Sequence, residues 1–91
     1  MTEFEWDESK NAVNQKKHGI SFAVVVDLFV AGKYVVIPSD RYDEERFKAV
    51  GIYAGEILTV VFTYRNATIR LISARRASRE ERKEYSALCA R

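Results

Sequence analysis

The stretch RFKAVGIYAGEILTVVFTYRNATIRLISAR, residues 46–75, decides the fold. It holds three runs rich in β-branched and aromatic residues: Arg46 to Tyr53, Ile57 to Tyr64 and Thr68 to Arg75. Only Ala54-Gly55 and Arg65-Asn66 mark the turns between them, and connections this short force antiparallel neighbours. Working outward, Lys33 to Ile37 reads as a further strand, stopped by Pro38 and the polar run 39–43. Beyond the last strand, Ser78 and Glu81 have the spacing of a capping box and open a closing helix. Its Tyr85, Leu88 and Cys89 are expected to pack on the sheet. On the other side, Ser21 is an N-cap for Phe22 to Val30. The valine run 24–26 favours a strand by propensity, but Phe22, Val25, Val26 and Phe29 fall at i, i+3, i+4 and i+7, which predicts a helix. Upstream again, Asp7 caps a mostly polar helix over about residues 8–17 that ends at Gly19, with a short strand at Phe4 to Trp6 before it. The expected fold is α+β: a short N-terminal strand and two helices, a four-stranded antiparallel sheet, and a C-terminal helix, in a single domain over residues 1–91.

Composition bounds the chemistry. At 91 residues, with 47% hydrophobic, roughly 64% of the unfolded chain's surface can be buried, enough for one modest core and not for a deep, enclosed active site. One cysteine makes no internal disulfide, and with one histidine it builds no dedicated zinc site. There is no glycine-rich phosphate loop and no nucleophile with a matching base, which argues against nucleotide hydrolysis and acyl transfer. Without clustered carboxylates, two-metal nuclease chemistry is unattractive; no metal or other cofactor is expected. No apolar run approaches the ~18 residues of a membrane span, and the acidic N-terminus is unlike a secretory signal. A small cytoplasmic protein that does not engage membranes is the expectation.

The net charge of +2 hides an asymmetry. Residues 1–64 carry seven Lys/Arg against ten Asp/Glu, a net of −3; residues 65–91 carry eight against three, a net of +5. Seven of those eight are arginines, at 65, 70, 75, 76, 79, 82 and 91. The planar guanidinium fork suits phosphate, so the cluster points to an anionic partner, while a solvated surface balanced by the acidic first part accounts for the same charges.

Several segments, taken in order, resemble one family: FEWDESK at 4–10, Asn14, KHG at 17–19, Phe22 and Phe29, Glu45-Arg46, Gly51, Thr63 and Arg65, and RLISARRAS at 70–78 with Glu81 and Tyr85. The chain is similar over about residues 4–85 to BrnT, the toxin of a bacterial type II toxin–antitoxin pair. It departs from the family after Phe29, where Val30-Ala31-Gly32 lacks an expected acidic residue. The resemblance implies a RelE-like fold, an endoribonuclease that inhibits translation, and neutralisation by a BrnA-like antitoxin. It also implies that operator DNA is bound only through the antitoxin complex, a heterotetramer or larger. A non-catalytic module that docks an antitoxin or nucleic acid through its basic C-terminal third is the alternative, including one in which residues 65–91 serve only the antitoxin interface.

RNA cleavage without metal needs a base for the 2′-hydroxyl, cations for the phosphorane and an acid for the leaving 5′-oxygen. Histidine is the residue type that exchanges protons near neutrality, so His18 is the first acid/base candidate, with a C-capping role as the structural alternative. Glu45 is a second candidate, or a simple ion-pair partner of Arg46. Arg46, Arg65 and Arg75 are the candidates for charge stabilisation, and Lys17, Arg70, Arg76 and Arg79 for RNA contacts. Five residues apart in one strand, Arg70 and Arg75 are expected on opposite faces of the sheet. Arg75, Arg76 and Arg79 lead into the closing helix, whose free N–H groups would add to a phosphate site. Tyr85 is either core or a base-stacking residue.

Overall fold

The computed structural model describes residues 3–39 and 45–89. The elements run β1 (Glu3–Glu5), α1 (Glu8–His18), α2 (Phe22–Ala31), β2 (Tyr34–Ser39), β3 (Arg46–Tyr53), β4 (Glu56–Arg65), β5 (Thr68–Arg76) and α3 (Arg79–Cys89). Local signals set most of these bounds. The Asp7 side chain accepts the Ser9 N–H, and Gly19 closes α1 in the left-handed conformation. Ser21 accepts the Val24 N–H at the start of α2, and Gly32 ends it. Both residues of the β3–β4 turn, Ala54 and Gly55, have positive φ, as a two-residue hairpin matched to the right-handed sheet twist requires.

The sheet has five strands, not four, in the order β1-β5-β4-β3-β2. β2 to β5 form the expected antiparallel meander, and β1 adds to β5 in parallel, Phe4 opposite Ile69. Pro38 does not stop β2. It lies within the strand, opposite Phe47. The Ile52 N–H bonds the Lys33 carbonyl, so residues 33, 35, 37 and 39 face β3 and position 38 points off the sheet edge, where a missing N–H costs the ladder nothing. Of the polar run expected to follow Pro38, Ser39 belongs to β2 and residues 40–43 lie outside the described residues.

One sheet face carries the main core. Phe62, Val60, Leu58, Leu71, Ala74 and Ala49 meet Phe22, Val25, Leu28 and Phe29 of α2. Leu28 is fully buried and Val26 only partly, so the buried stripe of α2 is turned slightly from the expected one. Phe4 and Trp6 join this core, their rings against Phe29 and Phe22. On the opposite face lies α3, whose Glu81 accepts a hydrogen bond from Thr59 of β4. Leu88 and Cys89 do not pack on the sheet: both are exposed, Tyr85 is half-buried, and the one buried residue of α3 is Glu81. A polar anchor, rather than an apolar stripe, docks this helix.

Two devices shape β5. β1 covers only its first residues, and beyond them α1 takes the place of a strand. The Asn14 side chain donates to the Ala74 carbonyl at 2.9 Å and accepts the Ala74 N–H at 3.0 Å, and also donates to the Ile20 carbonyl at 3.0 Å. The second device is a bulge: Val61 pairs with Ser73 but Phe62 with Leu71, so Ile72 is an extra residue in β5. Gly51 permits a third close fit, since a Cβ there would lie 2.5 Å from the Lys33 carbonyl oxygen and 2.6 Å from the Tyr34 Cβ.

Replacing Asn14 with Ala orphans the buried Ala74 N–H, and urea unfolding is expected to show a loss of about 2–3 kcal/mol. Conversely, Ala54→Asn puts a residue tolerant of positive φ into the hairpin turn and is expected to raise the free energy of unfolding by about 0.5–1 kcal/mol, read in urea as a higher midpoint.

Candidate functional site

The bulge decides which side chains share a face. Arg70 lies opposite Thr63 and Arg75 opposite Thr59, and residues 63 and 59, four apart in β4, point the same way. Arg70 and Arg75 are therefore on one face, contrary to their odd spacing in sequence, because the extra residue between them restores the parity. It is the face away from α2. Thr63, Val61 and Thr59 of β4 lie on it, as do Arg46 and Lys48 of β3 by register. Thr63 donates its hydroxyl to the Glu45 carbonyl at 2.6 Å, which ties the start of β3 to this row. Arg65 extends the same column into the β4–β5 turn, where it is exposed. Among the described residues, Arg46, Lys48, Arg65, Arg70 and Arg75 thus share a surface with two carboxylates, Glu5 on Arg70 and Glu81 on Arg75.

Where α3 crosses this face, a cleft of about 410 Å³ opens, lined by Arg46, Lys48, Arg75 and Glu81 with Ser39 and Ser73 among its walls. Glu81 organises it. Its Oε1 accepts from Arg75 Nη1 (2.7 Å), Thr59 Oγ1 (2.9 Å) and the Ser78 N–H (2.8 Å). Its Oε2 accepts from Arg75 Nη2 (2.9 Å) and Lys48 Nζ (3.3 Å). The bidentate Arg75 fork is the main reason this carboxyl is held far below the usual carboxylate range, with the Ser78 amide and Thr59 hydroxyl adding to it against the cost of burial. The same pair raises the Arg75 guanidinium. Glu81 takes two of the five N–H donors of Arg75 and the Arg76 carbonyl accepts a third bond at 3.4 Å, while the side chain remains 34% exposed and lines the cleft, so the fork is oriented with donors left over.

The other sequence candidates are distributed around this centre. Lys17 and His18 end α1 and line a separate groove against Ile72 and Ser73 of β5. Glu45 is exposed beside Arg46. Arg76 pairs with Glu56 at the far end of the sheet, and Arg79 is exposed on the first turn of α3. The start of α3 is not an open set of amides: Ser78 N–H is taken by Glu81, and Glu81 N–H by Ser78 Oγ. Sequence reasoning did not mark Lys48, and saw Glu81 only as a helix cap. The alternation of β3 places Lys48 in step with Arg46 and is the signal that could have found it.

Glu81→Gln is expected to cost about 3 kcal/mol at pH 7, because it leaves Arg75 and Lys48 without their counter-charge. The carboxyl is lower in the folded than in the unfolded chain, so its stabilisation is complete above the unfolded value of about 4.3 and is lost as pH falls below it. In urea titrations the gap between wild type and Glu81→Gln should narrow steadily below about pH 4. A gap that stays constant with pH would show that Glu81 acts as a cap alone.

None of the curated proteins compared matches this chain. The family model described as "Ribonuclease toxin, BrnT, of type II toxin-antitoxin system" matches residues 6–81, a span running from Trp6 in the core to Glu81 in the cleft. The chain belongs to the BrnT family, the ribonuclease toxins of type II toxin–antitoxin systems.

Proposed function

We propose that this protein is an endoribonuclease toxin that cuts RNA without metal at the cleft between α3 and the sheet, on a fold of RelE-like type. The observation that carries this reading is the convergence of Arg46, Lys48 and Arg75 on one open cleft, with Glu81 fixing the Arg75 fork. In the reaction, a 2′-hydroxyl attacks the adjacent phosphorus. The O2′–P bond forms as the P–O5′ bond breaks, leaving a 2′,3′-cyclic phosphate and a 5′-hydroxyl. Arg75 and Lys48 neutralise the charge that builds on the phosphorane, the largest electrostatic demand of the step, and Arg46 holds the incoming phosphate. Glu45, beside Arg46, and His18, across the Ile72–Ser73 bulge, are the candidates to take the 2′ proton and return one to O5′. Arg65 and Arg70 extend the contacts along the sheet and Arg79 along the margin of α3, whereas Arg76, opposite Leu58 on the other face and paired with Glu56, lies away from them.

Family membership supports the biological setting. RNA cleavage inhibits translation, and a BrnA-like antitoxin neutralises the toxin by covering the basic face. The resulting complex, a heterotetramer or larger, carries the operator contacts through the antitoxin. Among the described residues no helix is long and apolar enough to cross a membrane, and a cytoplasmic site of action follows from an RNA substrate.

Induction of the chain alone is expected to arrest growth with breakdown of total RNA. Arg75→Lys keeps a cation for Glu81 but loses the fork; it and Lys48→Ala, each checked for folding by circular dichroism, are expected to lower cleavage about 100-fold or more and restore growth. Normal growth and intact RNA from soluble, folded wild-type chain would overturn the nuclease reading in favour of a binding module.

A further inference from the structure

The bulge residues Ile72 and Ser73 are walls of two grooves at once. On one side is the cleft of Arg46, Lys48 and Arg75. On the other, α1 and β5 enclose a groove of about 300 Å³, lined by Lys10, Val13, Lys17 and His18 of the helix. Lys10, Val13 and Lys17 fall at i, i+3 and i+7 and so form one stripe along α1. The two lysines are about 10 Å apart along the helix axis, and both are exposed. Between them Val13 is 64% exposed, an apolar step on an otherwise polar helix. The order is cation, apolar step, cation, histidine, then the bulge, then the cationic cleft.

We infer that the α1 groove is a second RNA subsite, which holds the phosphates of nucleotides flanking the cleaved bond while Val13 supports a sugar or base. The substrate is then a single strand that crosses the Ile72–Ser73 bulge from one groove to the other, because a single strand is flexible enough to follow two grooves that share a wall. The inference rests on reading the cleft as the phosphate site. It adds Lys10 to the binding surface and gives Lys17 a defined place in it. Electrostatic contacts of this kind are sequence-tolerant and strongly salt-dependent.

The test uses fluorescently labelled 2′-O-methyl RNA of mixed sequence, which binds but lacks the attacking hydroxyl, in lengths of 3 and 12 nucleotides. By anisotropy at low salt, wild-type chain is expected to bind the 12-mer at least tenfold more tightly than the 3-mer. In Lys10→Ala/Lys17→Ala that advantage is expected to fall below threefold, and the logarithmic salt slope for the 12-mer to lose about 1.4, at ~0.7 per single-strand phosphate contact. Two results would overturn the second subsite and leave the cleft reading standing: an unchanged advantage and slope in the double variant, or equal wild-type binding of the two lengths. A 12-base-pair duplex bound as tightly as the single strand would overturn the single-strand path. If wild type binds neither length, or Arg46→Ala binds the 3-mer like wild type, the cleft reading itself falls and the inference with it.

Discussion

One buried carboxylate holds the cationic side of this molecule together. Glu81 is drawn out of water at a cost of several kcal/mol, and five hydrogen bonds from β3, β4, β5 and the start of α3 offset that cost. The rest of α3 brings little apolar surface to the sheet, with Leu88 and Cys89 exposed. The position of the last helix therefore depends on this anchor. The same contacts fix the Arg75 guanidinium in one orientation, so stability and site geometry share atoms. A domain of 91 residues has little core to spare, and making one interaction serve both ends suits that size.

A second constraint lies at β5. An open strand edge must be paired or covered, and here one asparagine does it. Asn14 has a donor and an acceptor spaced like those of a peptide unit, and it meets the Ala74 N–H and carbonyl as a neighbouring strand would. This fixes α1 against the sheet without a hydrophobic stripe, which the polar composition of α1 does not supply. The adjacent bulge then turns Arg70 and Arg75 to one face and leaves Ile72 and Ser73 between two grooves. The strand edge, the helix beside it and the cationic face are parts of a single arrangement.

In a ribonuclease toxin of a type II system, a cationic face of this breadth suits the substrate proposed for it. RNA is long and charged, so binding energy comes from many phosphate contacts over a surface rather than from enclosure. Arginine dominates the cationic face, and its fork can donate to a carboxylate on one edge while donors remain on another. Glu5 on Arg70 and Glu81 on Arg75 hold two of these side chains in place. As a type II toxin the chain pairs with an antitoxin protein.

The sequence by itself determined the helices, their caps and the antiparallel meander. Asp7, Ser21 and the Ser78/Glu81 box act on amides within three residues, Gly19 and Gly32 adopt left-handed turns, and Ala54-Gly55 closes a hairpin. All of these are short-range effects that a local pattern encodes. Tertiary structure alone decided that the expected N-terminal strand joins the sheet as its fifth member, because the β1–β5 pairing joins residues 65 apart. It also decided that Pro38 sits within an edge strand, since only the sheet order shows which side of β2 is unpaired. The face of Arg75 was out of reach for the same reason: an inserted residue reverses the alternation, and its presence is visible only against the partner strand. Charge and residue type named most of the arginines, whereas the gathering of Arg46, Lys48, Arg75 and Glu81 required three strands and a helix brought into register.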